Sequence, residues 1–209
     1  MDYKSQWRQD QFLNENIFKD KEKGFFLDIG AYDGVFLSNS YIFERYRNWT
    51  GLCVEPNPDL FAQLIKNRNC KCLNLCISNQ IGKSNFLKIS GPCNVYGGII
   101  HNLDPKHQQL IDEEIAKYGG TKEIIEVDCW TINDLIENYQ IQYIDYLSLD
   151  VEGGELEILK SVKPDYLKKI DVLTVENNYY GNQLRHLMED LGFRVMAILG
   201  HDEVYRGNN

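Results

Sequence analysis

Gly24-Phe25-Phe26-Leu27-Asp28-Ile29-Gly30-Ala31-Tyr32-Asp33-Gly34 is the stretch on which the fold turns. Its apolar run, Phe25 to Leu27 with Ile29, is bounded by glycines, the pattern of a short strand buried on both faces of a parallel sheet. Gly30 and Gly34 remove side chains where the backbone must turn sharply and let another group come close. A helix starting directly after the turn would present free N–H groups and a positive dipole end, which suits a carboxylate or a phosphate. The stretch therefore predicts either a cofactor site of the mononucleotide-binding kind or a plain strand-to-helix turn with a structural glycine.

Working outward, strands are expected at 51–55, 70–77, 143–150 and 171–176, with additional extended segments at 84–89 and 122–129. The 70–77 strand is apolar on both faces and is expected to be central. Helices are expected at 5–19, 35–46, 59–67 and 183–191, and from 155 to about 162, where Pro164 should stop the last of these. Asp104-Pro105 reads as an N-cap followed by proline at the first helical position, and Gly119-Gly120 ends that helix. Thr131 with Asp134 is a capping-box start for a short helix through Asn138. A hairpin of 193–199 with 203–205 closes the chain. The alternation of strands and helices implies α/β architecture, a largely parallel sheet covered on both faces. No repeat or linker divides 1–209, so one domain is expected, with the helix of residues 5–19 packed on it.

A length of 209 residues is enough for a substantial core without disulfides or metals. The net charge of -9 argues against a nucleic-acid backbone as partner, because phosphate binding needs clustered Lys and Arg. No apolar run approaches the roughly 20 residues that cross a bilayer. Residues 1–11 are polar and lack the apolar core of a secretion signal, so a cytoplasmic location is the expectation. Cys70, Cys72 and Cys76 share one parity and would face one side of a strand, poorly placed to form disulfides with one another. The cysteines read as buried free thiols, and no closing set of zinc ligands is evident.

In a doubly wound sheet, ligands bind beyond the carboxyl ends of the strands. Asp28, Glu55 and Asp150 lie at three such ends. Glu55, about 20 residues after the glycine turn, stands where a carboxylate would accept hydrogen bonds from a ribose diol. The turn itself is Gly-x-x-x-Gly rather than Gly-x-Gly-x-x-Gly, and Asp33 would set negative charge against a pyrophosphate. A positively charged cofactor with an amino-acid tail suits these acids better, and S-adenosylmethionine has both a sulfonium and an ammonium group.

Leu27-Asp28-Ile29-Gly30-Ala31-Tyr32-Asp33-Gly34, Val54-Glu55-Pro56-Asn57-Pro58 and Leu147-Ser148-Leu149-Asp150-Val151-Glu152-Gly153-Gly154-Glu155 together resemble the FkbM-type methyltransferases. The likeness runs over nearly the whole chain, through Ser5-Gln6, Gln9-Asp10-Gln11-Phe12, Gly97-Gly98-Ile99, Asp104-Pro105-Lys106-His107 and Val175-Glu176-Asn177-Asn178. It implies a Rossmann-like class I methyltransferase fold, S-adenosylmethionine as donor, and O-methylation of a sugar, glycan or polyketide-type hydroxyl. Carried over by position, Gly30, Ala31, Tyr32, Asp33 and Gly34 should face the methionine part, with Asp28 nearby. Glu55 should bind the ribose hydroxyls, and Asn57, Cys76, Ile77 and Ser78 should border the adenine. Asp150 and Glu152 should lie beside the transferred methyl group. His101 departs from the acid common at its position, which weakens assignments carried over in that loop.

A hydroxyl acceptor needs help to lose its proton, and Asp150, Glu176, His101 and His107 are the candidates. The acids would alternatively hold a divalent cation such as Mg²⁺ through oxygen ligands. The expected partner is a saccharide or other small hydroxylated acceptor, with a homo-oligomer left open. Rival readings are an N-methyltransferase, an RNA-cap methyltransferase, or an inactive cofactor-binding subunit.

Overall fold

The computed structural model describes residues 1–208. In chain order the strands are β1 (Phe25–Ile29), β2 (Thr50–Val54), β3 (Lys71–Leu73), β4 (Cys76–Ile77), β5 (Gly82–Ser90) and β6 (Gly98–Ile99), followed by β7 (Thr121–Trp130), β8 (Ile144–Leu149), β9 (Ile170–Glu176), β10 (Phe193–Leu199) and β11 (Asp202–Gly207). The α-helices are α1 (Gln9–Phe12), α2 (Tyr41–Arg47), α3 (Pro58–Asn67), α4 (Pro105–Tyr118), α5 (Ile132–Asn138), α6 (Glu155–Ser161), α7 (Pro164–Leu167) and α8 (Asn182–Asp190).

The main sheet runs β10-β11-β9-β8-β1-β2-β3, with β11 reversed against both of its neighbours. β1 sits inside it, paired in parallel with β2 and β8, so that Leu27 faces Leu52 on one side and Leu147 on the other. Side chains alternate across a strand, and both faces of β1 are therefore covered. Leu27 and Ile29 join Leu147, Leu149, Leu173 and Val175 under Ile132, Leu135, Leu156, Leu159, Leu184 and Met188. Phe26, on the opposite face, packs with Tyr146, Leu13, Phe18, Phe43 and Trp49. Burying each such side chain contributes about 1.5–3 kcal/mol, which explains how so short a strand anchors the sheet.

Several expected elements are placed differently. The helix expected at 35–46 begins only at Tyr41. Asp33 accepts the Val35 and Phe36 N–H groups, and Leu37 has a φ of 56°, so the chain coils through 35–40 before a helix can start. Phe36, expected on the buried side, is exposed. The strand expected at 70–77 is split: β3 lies at the edge of the main sheet, not its centre, whereas β4 pairs with β7. Asn74 marks the break, its amide donating to the Glu55 and Pro56 carbonyls. Residues 84–89 and 122–129 do not extend the main sheet. They pair antiparallel in a second, four-stranded sheet ordered β4-β7-β5-β6. Pro164 opens the short α7 at its first position. The helix expected at 5–19 is α1 followed by a π-helical turn, Leu13–Phe18, and Trp7 lies outside it. The caps at Asp104 and Thr131 and the closing hairpin form as expected. All six cysteines are free thiols.

Candidate active site

The C-terminal ends of β1, β2, β8 and β9 open into one cavity of about 470 Å³, a size usual for a small-molecule site. The turn after β1 forms one wall. Gly30 and Ala31 donate to the Val54 carbonyl at 3.0 Å each, and the Asp150 N–H donates to the Ile29 carbonyl at 3.1 Å. The turn is thus bolted to both neighbouring strands. Gly30 has a φ of +84°, and a Cβ there would lie 1.7 Å from the Asp150 carbonyl oxygen, so only glycine fits.

Glu55 stands just past β2, 5 % exposed, and lines the cavity. One carboxylate oxygen accepts the Tyr32 N–H at 3.0 Å and the other the Asn57 N–H at 2.8 Å. Burial pushes its pKa up to about 8 against the opposing pull of those two bonds. Asn57, which caps α3, and Cys76 and Ile77 line the same region. Asp28 also lines the cavity, but its carboxylate accepts the Ser40 hydroxyl and lies 3.9 Å from the buried Arg68 guanidinium. Three expected cofactor residues do not reach the cavity. Asp33 is turned to cap Val35 and Phe36, Gly34 packs towards Leu64 and Arg68, and the Ser78 N–H is held by the Trp130 carbonyl.

Asp150 and Glu152 lie beyond β8 and Glu176 is the last residue of β9, with carboxylate oxygens within 4.8 Å of one another. All three lie on the cavity wall. Burial raises all three pKa values, that of Glu152 to about 8, with the neighbouring acids adding to the effect. Such a cluster shares protons among its members, and the same spacing would span one divalent cation. Glu155 shapes the loop that carries two of them. Its carboxylate accepts the Val151 and Gly153 N–H groups and the Tyr180 hydroxyl.

Of the two expected histidines, His107 reaches the cavity and His101 does not, the latter being exposed on a short 3₁₀ turn. His107 is itself almost fully enclosed, its Nε2 3.1 Å from the Tyr96 carbonyl oxygen and its Nδ1 3.0 Å from the Tyr179 hydroxyl. A carbonyl can only accept, so Nε2 carries the proton, and in the neutral ring Nδ1 accepts from Tyr179. With both nitrogens engaged, and Nδ1 also 3.5 Å from a Glu152 carboxylate oxygen, His107 ties helix α4 to the 94–99 loop, to Tyr179 and to the acid cluster.

Sequence reasoning missed several wall residues. Asn39 is buried, donates to the Ser148 hydroxyl at 3.1 Å, and has the one buried side-chain polar atom without a partner among the described residues, its Oδ1. Ser38-Asn39-Ser40, a polar run inside an expected amphipathic helix, was the available signal. Trp7, Tyr96, Asn178, Tyr179 and His201 also line the cavity. Gln9 holds the N-terminal segment there by donating to Asp202 at 2.6 Å.

The chain has counterparts among known proteins. Residues 28–195 match the family model described as the methyltransferase FkbM domain. The chain belongs to the FkbM methyltransferase family. Its sequence is 26% identical over 221 residues to methyltransferase sdnD of Sordaria araneosa, covering 88% of this chain and 82% of that protein. It is 24% identical over 182 residues to methyltransferase 1 of Beauveria bassiana, covering 79% and 72%. The crystal structure of an FkbM methyltransferase from Methylobacillus flagellatus KT superposes with a TM-score of 0.54 at 14% identity, over 90% of this chain. This chain spans 44% of that solved one, and the likeness establishes a shared Rossmann-like fold. Membership of the FkbM family implies S-adenosylmethionine as methyl donor. The family match begins at Asp28 and ends at Val195, so Trp7 and His201 stand on the cavity wall from outside the matched stretch. Among the described residues, no helix is long and apolar enough to cross a membrane.

Proposed function

We propose that this chain is an S-adenosylmethionine-dependent O-methyltransferase acting on a saccharide hydroxyl. The observation that carries the reading is the meeting, in one cavity, of Glu55 after β2 with Asp150 and Glu152 after β8 and Glu176 at the end of β9. The residues suit the donor. Each Glu55 oxygen accepts one backbone bond and retains a lone pair for a ribose hydroxyl. The unpartnered Asn39 Oδ1 offers an acceptor to an ammonium group, and the acids favour a cation. When bound, the donor supplies a methyl carbon attached to a positively charged sulfur, and displacement leaves a neutral thioether.

The protein's part is orientation and proton removal. Tyr96, Tyr179 and Trp7 bring aromatic rings and Asn178 an amide to the cavity, groups that suit a polyol ring, and holding the acceptor oxygen in line accounts for much of the rate. As that oxygen bonds to carbon, its proton passes to the carboxylate cluster, with Asp150 as the first acceptor and Glu152 and Glu176 sharing the charge. An amine has less need of such a base, so the cluster supports an oxygen acceptor.

The test is methyl transfer to a panel of neutral glycosides followed by mass spectrometry. Asp150→Asn should lower kcat by roughly 100-fold or more while S-adenosylhomocysteine binding persists; a near-normal rate would remove Asp150 from the reaction. Activity that survives EDTA treatment supports proton transfer to the cluster. Loss on EDTA and recovery with Mg²⁺ would assign the three carboxylates to a cation instead.

A further inference from the structure

The cavity has two chemically different ends. Over β1 and β2, Glu55 and Asn57 suit the donor, with Asn39 beside them on Ser148 of β8. The opposite end lies over β8, β9 and β11, where Asp150, Glu152 and Glu176 meet the rings of Tyr96 and Tyr179. His201, in the turn between β10 and β11, holds its ring edge-on to Trp7 at 5.8 Å and completes that end. The Asn177 N–H donates to the His201 carbonyl, which fixes this rim beside the end of β9.

The chain carries 22 lysines and arginines, yet none of them is among the described residues that line the cavity. Arg68, the buried cation behind the donor end, is bound to Glu44, to the Gly34 carbonyl and to Ser40, and faces Asp28. His107 has both nitrogens engaged. A phosphate or carboxylate brought to the acceptor end would lose its water beside three carboxyl groups, with no lysine or arginine there to compensate. A polyol meets no such cost, because carboxyl, phenol and amide groups all hydrogen-bond hydroxyls.

Resting on the saccharide reading above, we propose that the acceptor is a glycoside free of phosphate and carboxylate groups. Methylation then follows glycosyl transfer: the reaction that supplies this substrate is the one that moves the sugar off its phosphate-activated carrier. The transferred methyl bonds to a hydroxyl oxygen of the finished glycoside, and the displaced proton leaves through the carboxylate cluster, with no further reactant.

The experiment compares acceptors that share one sugar and differ in charge. The protein with saturating S-adenosylmethionine is given the p-nitrophenyl glycoside, the sugar 1-phosphate and the nucleoside diphosphate sugar of glucose, galactose, mannose and fucose. The glycoside is expected to be methylated with a kcat/KM at least about 100-fold above its phosphorylated partners. Comparable or faster transfer to a phosphorylated member would overturn the proposal while leaving the saccharide reading intact. No transfer to any member, with S-adenosylhomocysteine still binding in calorimetry, would overturn the saccharide reading and this proposal with it. Trp7→Ala should raise the KM for the glycoside by about tenfold at unchanged S-adenosylhomocysteine affinity, with Trp7→Phe intermediate. Unchanged KM in both would contradict the assignment of the Trp7 rim to the acceptor.

Discussion

Two side chains define the donor end at the scale of single residues. Glu55 gives one lone pair on each oxygen to the backbone at Tyr32 and Asn57, so its position is set before any ligand arrives. Replacing it by alanine removes both carboxyl oxygens that would accept from a ribose diol, and S-adenosylhomocysteine binding should weaken by about tenfold to a hundredfold in calorimetry. Unchanged affinity would sink the ribose assignment. Because its carboxyl is pushed up to about 8 in the ligand-free protein, Glu55 is largely protonated at neutral pH. Diol donors favour the anion, so affinity should rise as pH is raised towards about 8, and Glu55→Gln should flatten that dependence. Asn39 differs in kind. Its Oδ1 is buried with no partner, an arrangement costing about 1–3 kcal/mol until a donor arrives. Asn39→Ala should lower affinity by roughly tenfold, and Asn39→Asp, which keeps an acceptor at that place, should retain most of it.

At the scale of elements, the turn between β1 and the 35–40 coil holds the tightest glycine approach among the described residues. Gly30→Ala would push a Cβ to within 1.7 Å of the Asp150 carbonyl, at a φ of +84°. Either β1 or β8 must move, and the thermal midpoint should fall by an amount equivalent to about 3 kcal/mol or more. Gly192→Ala is the control: it has a similar φ of +85° with nothing within 4 Å, and should lose only about 1–2 kcal/mol. If the two variants melt alike, the close approach of β8 is not what fixes residue 30. The same turn shows what a sequence can and cannot disclose. Its apolar run and glycines announce a buried strand, and Glu55 and Asp150 announce strand ends, because burial and turn geometry act on the residues themselves. The split of the expected 70–77 strand was hidden, since β3 and β4 are told apart by distant partners, β2 and β7. Leu37 and Asn39 fall in the helix expected at 35–46 for a local reason: apolar spacing there is helical, but Asp33 diverts the first two N–H groups. Trp7 and His201, far apart in sequence, meet at the cavity only through the folding of both termini.

At the scale of the whole molecule, the buried acids in and around the cavity bind protons in an unusual direction. Asp28, Glu55, Asp150, Glu152, Glu155 and Glu176 all have pKa values raised by burial, and Asp202 is raised to about 6. Each therefore holds a proton in the folded protein at a pH where the unfolded chain has lost it. The slope of stability with pH follows the difference in bound protons, and here the folded state binds more. These groups contribute stability that is fully present below the ordinary carboxylate range and is lost as pH rises through the folded values, which for Glu55 and Glu152 lie at about 8. The ligand-free protein should accordingly melt at lower temperature at pH 7.5 than at pH 5.5, by about 5 °C or more. A cationic donor reverses the preference, since it favours the ionised acids. Saturating S-adenosylmethionine should narrow the gap between the two pH values, and calorimetry in buffers of different ionisation enthalpy should record protons released on binding. A midpoint that rises between pH 5.5 and 7.5 without ligand would show that these carboxyls are already ionised in the empty cavity. The cluster would then meet the donor as a preformed anion, and the acceptor's proton would go to a group that is free before the cofactor binds.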